Sequence, residues 1–205
     1  MSAQPKPFIT EADYLERERV STSKHEYYSG EIFAMTGASE AHNLIASNVT
    51  ATFHRQLRGR ACRIYPSDMR LKVIQTGLNT YPDLTIVCGP PQFTDLTKRD
   101  TLINPTVIIE ILSPSTERYD RGLKFQNYRT ISSLQDYILI AQDAAHIEHY
   151  TRHEPNQWIL TEVVGLDNSL TIASLGVTIN LTDAYEQIEL PSNPESRIPG
   201  DTSVE

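Results

Sequence analysis

Leu44, Ile45, Val49, Phe53 and Leu57 recur every three or four residues, the spacing that lines one face of an α-helix. Ser39 stands just ahead of this run as an N-cap, so the spacing predicts a helix from Ser39 to about Arg58. Thr10 caps a shorter helix, T-E-A-D-Y-L-E-R-E, whose acidic residues suit its first turn. Elsewhere the period shortens. H-E-Y-Y and E-I-F-A-M read as two strands about a turn at Ser29-Gly30. C-R-I-Y, M-R-L-K-V-I and L-T-I-V-C read as three more, with Gly77 to Asn79 as a turn between the last two. T-V-I-I-E-I-L and D-Y-I-L-I-A are strands of the fully buried type, separated by a helix over 117–131. I-E-H-Y-T-R, Q-W-I-L-T-E-V-V and short runs to about Leu181 read as antiparallel strands at the sheet edge. The pattern predicts an α/β fold: a central mixed β-sheet flanked by helices.

The 205 residues fit one domain. It is expected over 8–190, with a flexible leader at 1–7 and a disordered, proline-rich tail at 191–205. No apolar run reaches the ~18 to 20 residues that cross a bilayer, and the leader lacks the apolar core of a signal peptide. Cys62 and Cys88 lack CxxC spacing and lie in strand-like runs, so they read as buried reduced thiols rather than a disulfide or a metal pair. A cytoplasmic location follows from that reading. The net charge of −8 argues against tight, non-specific nucleic-acid binding. It does not exclude binding, because Lys98, Arg99, Arg118, Arg121, Lys124 and Arg129 cluster in sequence and cations offset a carboxylate site.

Glu110 changes the picture. An ionised carboxylate among β-branched residues is costly unless it is paired or bound to a cation. Asp83 raises a similar question at the head of L-T-I-V-C. Two carboxylates on neighbouring buried strands suit Mg²⁺, a hard ion that takes oxygen ligands and keeps several waters. Asp120, Lys124 and Tyr128 fall at i, i+4 and i+8 on the predicted helix. Lys124 either forms a surface pair with Asp120 or turns toward Glu110, where an ammonium would steady an attacking water or transition-state charge. Tyr128 reads as a packing residue, Asp68 as a turn residue and Gln126 as turned away from Lys124.

Taken in order, Y-P-D-L-T-I-V, P-T-V-I-I-E-I-L-S-P-S-T, D-R-G-L-K-F-Q-N-Y and D-Y-I-L-I resemble the Uma-two family, as do the upstream T-E-A-D-Y-L, Y-Y-S-G-E-I and H-N-L-I. The likeness spans roughly 8–185. It implies a restriction-endonuclease-like fold of the PD-(D/E)XK superfamily, DNA as substrate, and Mg²⁺ (or Mn²⁺) held by Asp83 and Glu110. It also implies catalytic roles for Asp83, Glu110 and Lys124, for Glu31 of the G-E motif, and for His42 on the helix. That superfamily places its lysine two residues after the second carboxylate; here Leu112 stands there, so the resemblance moves the lysine onto the following helix. A homodimer is expected from the superfamily and from the apolar meander near the C-terminus. No Walker loop, HExxH, zinc spacing or GxSxG elbow is present. Two functions stay open: a Mg²⁺-dependent endonuclease, or a catalytically weak or inactive nuclease fold serving as a binding or scaffold module.

Overall fold

The most apolar stretches of the chain lie side by side. In the computed structural model, which describes residues 8–191, β6 (Leu84–Cys88) pairs antiparallel with β8 (Val107–Leu112). β8 in turn pairs parallel with β9 (Asp136–Ala141). β3 (Cys62–Pro66) closes one edge of this sheet. β10 (His146–Glu154) and β11 (Gln157–Val164) extend the other, giving the order β11-β10-β9-β8-β6-β3. The one parallel contact makes this central sheet mixed, as the pattern of apolar runs predicts.

A second sheet, ordered β2-β1-β5-β4-β7, is built from β1 (His25–Tyr28), β2 (Glu31–Ala34), β4 (Arg70–Lys72), β5 (Asn79–Thr80) and β7 (Thr101–Leu102). The β1–β2 hairpin turns through Ser29 and Gly30 at φ 51° and 85°, a pair of left-handed residues that a tight hairpin needs. Asn79, expected in a turn, instead joins Thr80 as β5, because it finds partners on both sides in β1 and β4. β12 (Ser169–Ile172) and β13 (Val177–Asn180) form a separate hairpin.

Alternation along β8 sorts the core into two layers. Val107, Ile109 and Ile111 pack under α2 (Glu40–Gln56), β12, β13 and α5 (Leu181–Ala184). Ile108 and Leu112 face the opposite way, toward Leu71, Leu78, Leu102, Tyr128 and Leu134. Both predicted caps form: Asp13 N donates to Thr10 Oγ1 (3.2 Å) at α1 (Glu11–Val20), and His42 N to Ser39 Oγ (3.1 Å) at α2. Each such cap contributes about 1 kcal/mol.

Two expectations need correction. The helix predicted over 117–131 is α3 (Glu117–Tyr119), a π-helical turn (Asp120–Lys124) and α4 (Phe125–Tyr128), so it ends earlier and carries a widened turn. The cysteines are not free thiols. β3 and β6 pair in a register that sets Cys62 directly opposite Cys88, and the two form a disulfide. Their separation in sequence hides a juxtaposition that only strand register creates, and the cytoplasmic expectation loses the thiols on which it leaned. The leader at 1–7 and the tail from 192 lie outside the described residues. Among those described, no helix is long and apolar enough to cross a membrane.

Candidate active site

Leu84 stands opposite Ile109 in the β6–β8 register, and one step further brings Asp83 opposite Glu110. The two residues are therefore neighbours across adjacent strands. Asp83 N donates to Glu110 Oε2 at 3.3 Å, and Ile111 N donates to Asp83 Oδ2 at 2.7 Å. His42, near the start of α2, places Nε2 3.1 Å from Asp83 Oδ1. Asp83 keeps 17% of its side chain exposed while Glu110 keeps 3%, so the pair has a wet end and a dry end.

Glu110 occupies the face that looks toward α3, the π-turn and α4. Its Oε1 accepts from Lys124 Nζ at 3.1 Å and from Tyr128 Oη at 2.8 Å. Tyr128 thus does more than pack: it is buried and it orients the carboxylate. Lys124 is itself buried and lies 3.1 Å from Asp120 and 3.5 Å from Glu26 of β1. Both readings of Lys124 hold in part, since the Asp120 pair exists but is interior, and the ammonium also reaches Glu110. Thr80 Oγ1 donates to Glu26 from β5, tying the second sheet into the network. The π-turn is braced from behind, where Tyr137 Oη donates to Asp120 O (3.0 Å) and Phe125 stacks on Tyr137 and touches Trp158 edge-on. Arg121, from the basic run, is spent on Glu117 and Glu148 and does not face this site as a free charge.

The charges do not balance. Glu110, Asp120 and Glu26 bring three carboxyl groups around one ammonium, with Asp83 beside Glu110. Burial pushes the Glu110 carboxyl up to about 8; Lys124 opposes the shift, and Asp83 and Asp120 add to it by repulsion. Burial works against the Lys124 charge too, yet Glu110, Asp120 and Glu26 outweigh it and hold the ammonium well above its ordinary range. Asp120 Oδ1 is buried and lies near Nζ but off the line of a hydrogen bond, and it has no other hydrogen-bond partner. Among the described residues no three His, Cys, Asp or Glu side chains are grouped as a ready metal cage. Two carboxylates with water completing the shell still suit Mg²⁺, which seldom uses an all-protein cage.

A groove of about 430 Å³ runs along α2 past Ala46, Thr50 and His54, is walled by Ser67, and reaches Asp83. The small side chains there leave the exposed end of the carboxylate pair open. Glu31 begins β2, half-buried and opposite Tyr28. From this hairpin it is Glu26 that meets Lys124, a residue the sequence reading passed over. Its signal was weak: a glutamate in H-E-Y-Y reads as solvent-facing until a helix is known to cover the strand. Asp68 is a turn residue with its side chain 91% exposed, paired with Lys24.

Comparisons with known proteins bear on the family and the fold. Residues 11–183 match the Uma2 family, described as "Putative restriction endonuclease". Two uncharacterized proteins of Synechocystis sp. are similar along most of their length. One, sll1609, is 39% identical over 77% of this chain and 88% of its own; the other, slr1290, is 33% identical over 88% and 93%. A crystal structure from Anabaena variabilis, titled "a putative nuclease belonging to DUF820", superposes with a TM-score of 0.71. It covers 86% of this chain and 97% of its own at 20% identity, a likeness of fold.

Proposed function

The chain belongs to the Uma2 family, and on that premise we propose that it is a magnesium-dependent endonuclease hydrolysing DNA phosphodiester bonds at Asp83, Glu110 and Lys124. The observation that carries this reading is the cross-strand apposition of Asp83, half-buried at the groove, with the buried Glu110 that Lys124 contacts. Asp83 and Glu110 would hold the ion, with Mn²⁺ able to take its place. When bound, that ion supplies Lewis-acid polarisation of a phosphoryl oxygen and a more acidic water.

The chain's own residues do the positioning. Tyr128 and Lys124 fix Glu110 from one side and the Asp83 amide fixes it from the other. His42 and the Ile111 amide hold Asp83 at the end of the α2 groove, where a phosphate would arrive. Lys124 adds positive charge beside the carboxylates, within reach of the field that a phosphorane-like transition state would generate.

A second reading has one observation in its favour. Lys124 already sits among three carboxylates, so the network could serve as a buried brace in a binding or scaffold protein. Cleavage assays on supercoiled, linear duplex and single-stranded DNA, with Mg²⁺ and with chelator, separate the two. The expected result is metal-dependent cleavage that Asp83→Asn lowers by about a thousandfold while circular dichroism stays unchanged. Cleavage that persists in chelator, or in Asp83→Asn at full rate, overturns the nuclease site. No cleavage together with no magnesium binding by calorimetry selects the brace.

A further inference from the structure

The disulfide between Cys62 and Cys88 joins residues 26 apart in sequence, and the loop it closes carries one side of the candidate site. Pro66 and Ser67 wall the groove, Asp83 ends it, and Thr80 holds Glu26. The bond lies where the chain leaves α2 for β3. Cys62, Ile64 and Cys88 pack on the core layer beneath that helix, and Gly89 N donates to Ala61 O at 2.7 Å. α2 supplies the other groove wall and His42. One sulfur bond therefore ties the α2–β3 corner to the strand that Asp83 heads.

A switch differs from a staple in that the fold outlives its reduction. β3 stays registered on β6 from Cys62 opposite Cys88 to Pro66 opposite Leu84, and Thr106 Oγ1 accepts separately from Cys88 N at 2.9 Å. Gln56, at the end of α2, exchanges hydrogen bonds of 2.6 Å and 3.0 Å with the Thr178 backbone of β13. The corner is thus held without the sulfurs. Access favours exchange as well. β3 is the sheet's edge, with no strand on its outer side among the described residues, and both cysteines are half-buried. We propose that Cys62–Cys88 is a thiol–disulfide exchange site whose reduction by a dithiol loosens β3 and the groove beside Asp83. A reductant thiolate bonds to one sulfur and releases the other, which takes a proton. The reductant's second thiol then displaces the remaining cysteine, so the chain gains two electrons and two protons and the reductant leaves as a disulfide. A groove wall shifted by about 1 Å is enough to slow a reaction by up to about a hundredfold. The oxidised form is accordingly the active one; that consequence rests on the nuclease reading, whereas the exchange does not.

The test treats the full chain with dithiothreitol under native conditions and then reoxidises it. Maleimide mass-tagging counts thiols, amide hydrogen exchange follows residues 57–67, and DNA cleavage is assayed in both states. The expected result is two thiols per chain, from its two cysteines, with circular dichroism unchanged. Exchange over 57–67 should run about tenfold faster and cleavage about tenfold slower, both reversing on reoxidation. The double variant Cys62→Ala with Cys88→Ala should stay at the reduced level and ignore dithiothreitol. A chain that yields no thiols, unfolds on reduction or exchanges at an unchanged rate overturns the proposal. Faster exchange with equal cleavage in both states overturns the control of the groove. Faster exchange with no cleavage in either state refutes the nuclease reading and supports the exchange site.

Discussion

Glu110→Gln is expected to lower DNA cleavage by about a thousandfold or more while leaving the metal-free protein at least as stable as the parent, to within about 1 kcal/mol. The two effects have one cause. A carboxyl pushed up to about 8 by burial, with Asp83 repulsion added, binds its proton more tightly in the folded chain than in the unfolded one. Its contribution to stability is therefore present at low pH and is lost as pH rises from the ordinary carboxylate range through about 8. Glutamine has the same shape and no charge to lose. Its amide oxygen can keep the Tyr128 and Lys124 bonds, while the long bond from the Asp83 amide is lost because the glutamine nitrogen only donates. Urea unfolding at pH 6 and pH 8 in chelator, beside a cleavage assay, measures both effects. The variant should gain on the parent as pH rises. A loss of several kcal/mol at pH 7, or retained cleavage, would contradict the account.

Lys124→Met works in the other direction. Removing the ammonium leaves Glu110, Asp120 and Glu26 facing one another in a buried space, and breaking such a network from one side typically costs about 3–5 kcal/mol. The substitution nearly keeps the length and the apolar stem of the side chain, so packing beside Tyr119 is largely preserved. Cleavage should fall by about a hundredfold or more, since Glu110 loses a group that fixes it. Chemical denaturation supplies the number. A change below about 1 kcal/mol would mean that Lys124 is a surface lysine in solution and not the centre of the site.

The sequence carried the site further than its surroundings. Glu110 stood out because charge inside V-I-I-E-I-L demands a partner, and Asp83 because it opens the other apolar strand. The antiparallel register that sets them opposite each other is a property of strand pairing, and neither strand declares its neighbour. The same blindness to register hid the disulfide, since Cys62 and Cys88 are partners only because β3 lies against β6. The i, i+4, i+8 spacing of Asp120, Lys124 and Tyr128 was visible, but whether that face met water or Glu110 was not. The π-turn left no mark in D-R-G-L-K that separates it from an ordinary helix. Glu26 and Thr80 were illegible for a different reason: they act only once the second sheet folds over α3, the π-turn and α4. Both caps, the hairpin turn and the apolar central strands were read from local chemistry alone, and they stand in the structure where that chemistry put them.

The most direct measurement is anomalous diffraction from crystals soaked in Mn²⁺. The account predicts a peak within bonding reach of both the Asp83 and the Glu110 carboxylates, lost in Asp83→Asn crystals. A peak elsewhere on the molecule, with those two side chains still held by His42, Lys124, Tyr128 and the backbone amides, would contradict it.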